Sequence, residues 1–189
     1  MGFAEAKQAY ISEEEYVQGE EFSALKHEYL DGQVYMMAGA SDKHNLIAGN
    51  MFSLLHAGLP EECDVFIADM KVRIQSTRGT MFYYPDVMVS CAEMDRAKYY
   101  RAQPRLIVEV LSPATERQDR GEKFWQYQQI PSLQEYLLLS QDAPEATLFR
   151  RATGWQPEVY RDGAIRLESV GLDAPLDALY RRVRLNMTS

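Results

Sequence analysis

Arg105-Leu106-Ile107-Val108-Glu109-Val110-Leu111, stopped by Ser112-Pro113, decides the fold. It is apolar on both faces of a strand, as expected of a central strand covered from both sides. Downstream, the spacing predicts a helix over Glu116–Gln129 carrying Lys123, Phe124 and Tyr127. Pro131-Ser132 ends that helix, and Glu135-Tyr136-Leu137-Leu138-Leu139 reads as a second buried strand. Strand, helix and buried strand in succession point to an α/β core.

Upstream lies a strand-rich stretch. Val65-Phe66-Ile67 precedes the alternating Met70–Ile74, and a turn at Thr77–Thr80 leads into Phe82-Tyr83-Tyr84-Pro85-Asp86-Val87-Met88-Val89. Ser41 is placed to cap a helix over Asp42–Ala57, with His44, Ile47, Ala48, Met51, Leu54 and Leu55 on one stripe. Asp31-Gly32 between His27–Leu30 and Gln33–Met37 predicts a tight hairpin. Ser12-Glu13-Glu14-Glu15 reads as a capping box opening a short helix. Beyond the core, Ala146–Arg151, Gln156–Arg161 and Ile165–Leu167 read as antiparallel strands separated by Gly154 and Asp162-Gly163. The expected architecture is α/β (α+β): a mixed sheet flanked by helices, with an antiparallel β extension. One domain is expected over 1–189, with its core at about 11–140 and the extension at about 141–180.

The 189 residues are 46% hydrophobic and 25% charged, which excludes intrinsic disorder as the ground state. Acids outnumber Lys plus Arg by 28 to 20, for a net charge of -8, so a general electrostatic grip on phosphates is absent. Nucleic acid as a partner would require a local basic surface or a metal. Cys63 and Cys91 lack zinc-ligand spacing, and a disulfide framework is not expected. Met1–Tyr10 has no apolar signal core, and the longest apolar run falls far short of the roughly 20 residues of a membrane span. The expectation is a soluble cytoplasmic protein with no membrane partner.

Two acids stand out. Asp86 and Glu109 each interrupt a strand that otherwise reads as core. Buried carboxylates are costly unless paired or bound to metal. On adjacent strands they would form a hard-oxygen site suited to magnesium or manganese. The structural alternative is that Asp86 satisfies backbone groups at a strand start and Glu109 pairs with a core Lys or Arg. Glu28, in the first hairpin, is either a third acid of the site or a solvated strand position. Lys123 follows Asp119 by four residues, which by itself describes a surface ion pair. If its helix packs beside Glu109, the ammonium would instead offset developing negative charge. His44 lies on an apolar stripe and reads as a satisfied core histidine. No G-x-S-x-G, G-x-x-x-x-G-K-[ST], G-x-G-x-x-G or H-E-x-x-H pattern occurs, which removes serine-hydrolase, P-loop, dinucleotide and zinc-hydrolase readings.

Five segments in order carry a resemblance. They are Glu28–Val34, Met37-Ala38-Gly39-Ala40-Ser41 with His44-Asn45, Tyr84-Pro85-Asp86-Val87, Val108–Pro113 and Asp119-Arg120-Gly121-Glu122-Lys123. From about Ile11 to Tyr180 the chain resembles the Uma family, grouped with the restriction-endonuclease-like PD-(D/E)XK superfamily. That resemblance implies an αβββαβ core and magnesium-dependent hydrolysis of phosphodiesters, and the leading expectation is a DNA endonuclease. By motif it assigns Asp86 and Glu109 as metal carboxylates, the Val110 carbonyl as a further ligand and Glu28 as the acid preceding the core strands. The superfamily's lysine is expected two residues after Glu109, where Leu111 stands; Lys123 looks like its migrated replacement. The rival expectation is an inactive nuclease-fold domain that binds or regulates. The tail strands are expected to pair with a second copy as a homodimer.

Overall fold

The computed structural model describes residues 9–37 and 39–185. Met1–Gln8 of the amino-terminal segment, Ala38 of the Met37–Ser41 string, and residues 186–189 lie outside them.

The chain opens with α1 (Glu13–Phe22), where Ser12 and Glu15 exchange the two bonds of a capping box. The hairpin β1 (His27–Leu30) and β2 (Gln33–Met36) follows. Its turn holds Asp31 at φ 43° and Gly32 at φ 92°, both left-handed, as a two-residue hairpin demands. A Cβ on Gly32 would lie within 2.1 Å of the Tyr10 ring, so the position excludes side chains twice over. Then come α2 (Asp42–Gly58), capped by the Ser41 hydroxyl, and the strands β3 (Asp64–Ile67), β4 (Lys71–Ser76), β5 (Gly79–Tyr83), β6 (Val87–Ser90), β7 (Tyr100–Arg101) and β8 (Leu106–Leu111).

The single helix expected over Glu116–Gln129 is two: α3 (Glu116–Asp119) and α4 (Glu122–Tyr127). The break is at Gly121, with φ −115° and ψ −102°. A Cβ there would sit 2.8 Å from the Arg117 carbonyl oxygen, so glycine permits the close approach of the two segments. The chain ends with β9 (Glu135–Ser140), β10 (Ala146–Arg150), β11 (Pro157–Tyr160), β12 (Ala164–Leu167), β13 (Leu172–Pro175) and α5 (Leu176–Leu179).

The mixed α/β architecture with flanking helices is as expected, but the strands divide between sheets. One runs β2-β1-β5-β4-β7 and the other β11-β10-β9-β8-β6-β3, while β12 and β13 form a separate antiparallel hairpin. Both large sheets are mixed, because β4–β7 and β8–β9 are parallel pairs. Three apolar clusters define the layering. Tyr16, Tyr29 and Phe82 join α1 to the outer face of the five-stranded sheet. Val72, Met81 and Tyr83 meet Met88, Ile107 and Leu138 between the sheets, with Tyr127 of α4. The far face of the six-stranded sheet packs on α2, α5 and the β12–β13 hairpin. Every residue of β8 is buried, which explains its unbroken apolar run.

Against the expectation of no disulfide framework, Cys63 and Cys91 form a disulfide. The antiparallel register that pairs Asp64 with Ser90 brings them opposite one another at the next step. Their separation of 28 in sequence conceals a cross-strand neighbourhood. Among the described residues no helix is long and apolar enough to cross a membrane.

Candidate active site

Asp86 follows Pro85 at the entry to β6. The β6–β8 ladder pairs Val87 with Val108, so one step further Asp86 faces Glu109. The Asp86 amide donates to Glu109 Oε2 at 3.3 Å, and the Val110 amide donates to Asp86 Oδ2 at 2.6 Å. Asp86 Oδ1 lies 2.9 Å from His44 Nε2 in the first turn of α2. The Asp86 carbonyl accepts from the Ala68 amide.

Glu109 points into the space between the sheets. Its Oε1 accepts from the Tyr127 hydroxyl at 2.8 Å and stands 3.2 Å from Lys123 Nζ. Lys123 reaches Glu28 at 3.1 Å and Asp119 at 3.5 Å as well. Gln118 donates to the second Glu28 oxygen at 3.3 Å. Glu109, Asp119 and Lys123 are each at most 5% exposed. Asp119 Oδ1 has no hydrogen-bond donor, and the Lys123 ammonium stands 3.5 Å from it.

Three carboxylates thus surround one ammonium, and the Asp86 carboxylate lies beside Glu109 on the neighbouring strand. Burial pushes the Glu109 carboxyl well above the usual range; Lys123 opposes this, while Asp119 and Asp86 add to it. Burial raises the Asp119 carboxyl too. Burial alone would lower the Lys123 ammonium, but Glu109, Glu28 and Asp119 together hold it well above the ordinary lysine range. The pocket therefore holds more carboxyl groups than its own cation can neutralise, and burial resists the charging of Glu109 and Asp119.

Glu28, Asp86, Glu109, Val110 and Lys123, read separately from sequence, converge here. Val110 enters through its amide. The Asp119–Lys123 pair is buried rather than on the surface. His44 is half-buried at the rim and not in the core, with Asp86 as its partner. Asp119, Tyr127, Gln118 and His44 were the residues that sequence reading missed as members of the site. The available signal was the spacing 119, 123, 127, which an unbroken helix over Glu116–Gln129 would have put on one face.

The donor set is hard oxygen, with two carboxylates from adjacent strands. Among the described residues no three His, Cys, Asp or Glu side chains form a ready-made metal cage. Magnesium commonly takes one or two carboxylates plus waters and substrate phosphate oxygens. Asp86 and Glu109 fit that mode.

A family profile, Uma2, described as "Putative restriction endonuclease", matches residues 13–177. The chain belongs to the Uma2 family. All four acids and Lys123 fall within the matched span. "Uncharacterized protein slr1290" of Synechocystis sp. is 39% identical over 176 residues, covering 90% of this chain and 92% of that one. "Uncharacterized protein sll1609" of the same organism is 37% identical over 131 residues, covering 67% and 73%. The Uma2 chain is also similar in fold to a crystal structure from Anabaena variabilis described as a putative nuclease belonging to DUF820. There the TM-score is 0.66 at 17% identity, over 84% of this chain and 91% of that one.

Proposed function

We propose that the protein is a metal-dependent endonuclease that hydrolyses DNA phosphodiester bonds. The observation that carries this reading is the reciprocal placement of Asp86 and Glu109 beside the Glu28–Lys123–Asp119 cluster. Family membership and the nuclease-like fold support it.

In this reading Asp86, Glu109 and the Val110 carbonyl hold magnesium or manganese. The ion supplies polarisation of a phosphate oxygen and a lowered pKa for water. His44 fixes the Asp86 carboxylate, and Tyr127 fixes that of Glu109. Lys123, restrained by three carboxylates, directs its charge at the phosphoryl group as negative charge develops. Glu28 orients the attacking water and receives its proton. The test is nicking of supercoiled plasmid in magnesium by wild type and by Asp86→Asn. Asp86-dependent nicking supports the reading; equal nicking by both proteins defeats it.

A second reading, a non-catalytic binding or regulatory module, rests on one observation: Lys123 already bridges three of the four acids. The two readings part on metal titration. An Asp86-dependent rise in Tm with millimolar magnesium supports the enzyme, and no shift supports the module.

A homodimer along β11 is a further part of the proposal. β11 is the outer strand of its sheet, and Val159 on it is exposed. A monomeric mass by light scattering counts against it. A cytoplasmic location belongs to the same reading, although the Cys63–Cys91 bridge suits an oxidising compartment better.

A further inference from the structure

Tyr35 pairs directly with Glu28 across the β1–β2 hairpin. Residues opposite one another in an antiparallel pair share a face, with Cβ atoms about 5 Å apart. The neighbouring pair, Tyr29 and Val34, packs toward α1 on the outer face. Glu28 and Tyr35 therefore face inward, and the Glu28–Lys123 contact confirms that direction. Tyr83, Tyr127 and Tyr136 line the same interior and are fully buried. Tyr35 keeps 49% of its surface exposed. Because β2 is the outermost strand of its sheet, the ring stands at the rim of the candidate site.

An aromatic face next to phosphate-handling acids can meet a base only if that base is out of its duplex. In a double helix the bases stack on one another, and the phosphates come first to any surface. Single strands offer bare π-faces, and stacking on protein rings is tolerant of sequence. Charge argues the same way. A duplex carries twice the phosphate density of a single strand along its axis. A protein with a net charge of -8 meets less repulsion from the single strand.

We propose that the site acts on unpaired nucleic acid, and that Tyr35 positions it by stacking on a base beside the scissile phosphate. This rests on the nuclease reading and narrows its substrate. Tyr35 is a positioning residue; it touches the base and not the reacting atoms.

The experiment is fluorescence anisotropy with short fluorescein-labelled oligothymidine, and with a labelled hairpin duplex, in EDTA. It is paired with cleavage kinetics of the same oligonucleotides in magnesium. Wild type is expected to bind and cleave the single strand in preference to the duplex. Tyr35→Ala is expected to weaken single-strand binding about tenfold, raising KM more than it lowers kcat, with rescue by Tyr35→Phe. Asp86-dependent cleavage that is indifferent to strandedness and to Tyr35→Ala overturns this proposal and leaves the nuclease reading standing. Loss in Tyr35→Phe equal to that in Tyr35→Ala overturns stacking as the mechanism. Absence of both binding and cleavage in wild type overturns the proposal together with the nuclease reading.

Discussion

Asp86 and Glu109 lock each other's strands: the backbone amide of Asp86 donates to the Glu109 carboxylate, and the amide following Glu109 donates to the Asp86 carboxylate. Neither acid is free to swing, and the like charges are held side by side. A dication bound there as proposed would relieve that crowding, and saturating magnesium, at about 100 times its Kd, is expected to stabilise the folded state by about 2.7 kcal/mol. That corresponds to a rise in Tm of roughly 5–10 °C for a chain of this size. Asp86→Asn keeps the shape but removes a charge. It is expected to abolish the metal-dependent rise and to lower plasmid nicking by at least about 100-fold, since even outer partners of metal ligands are worth about 10–100-fold. Differential scanning fluorimetry with and without magnesium reads the first effect, and gel densitometry the second.

Lys123 is the cation the pocket already has. Lys123→Met strands buried carboxylates and is expected to lower stability by about 3–5 kcal/mol. The folded-state pKa of Lys123 lies above its unfolded value, so its contribution is complete below about pH 10.4 and disappears as pH rises through the folded value. Wild type should lose Tm steeply in that alkaline window, and Lys123→Met should lose less. Magnesium should in turn raise the Tm of Lys123→Met more than that of wild type, because the ion takes over part of the ammonium's charge. Identical alkaline slopes in urea denaturation would remove Lys123 from the account.

The parts legible in the sequence are those governed by local rules. β8 shows itself through burial on both faces, the first hairpin through Asp31-Gly32, and α2 through Ser41 and its stripe. Glu109 is visible because a carboxylate in such a strand is anomalous. What escaped depends on distant register. Nothing local assigns the strands to two sheets, sets Cys63 opposite Cys91, or carries His44 to Asp86. β13 was missed because Leu172-Asp173-Ala174-Pro175 has weak strand propensity. Asp119 was misjudged because an i, i+4 pair looks the same whether its helix faces water or a buried acid.

Ala68 takes φ 58° in the β3–β4 connection, a region that costs a residue with a Cβ about 1–2 kcal/mol. Its amide supports the Asp86 carbonyl and its carbonyl accepts from Lys26, so the turn cannot relax without disturbing the site. Ala68→Gly removes the steric penalty but adds about 0.5–1 kcal/mol of unfolded-state entropy. The net expectation is a gain of about 0–1.5 kcal/mol, or up to roughly 6 °C in Tm. A fall in Tm would show that the surrounding contacts favour this conformation more than the dihedral alone suggests.

The Cys63–Cys91 bridge joins edge strand β3 to β6, the strand that Asp86 leads into. It closes a loop of 28 residues, for which chain entropy in the unfolded state predicts about 3–4 kcal/mol of stabilisation. The paired substitution Cys63→Ser with Cys91→Ser is therefore expected to lower the urea midpoint, and dithiothreitol to lower that of wild type but not of the double variant. The consequence reaches the site through β3. The turn after it supplies the Ala68 amide to Asp86, so loosening β3 frees the backbone that positions the first acid. Nicking activity should then fall on reduction more than the loss of folded protein accounts for, measured at a temperature well below both midpoints. Unchanged midpoints with and without reductant would mean that the thiols are unpaired in solution, and that β3 is held by its ladder with β6 and its packing on α2 alone.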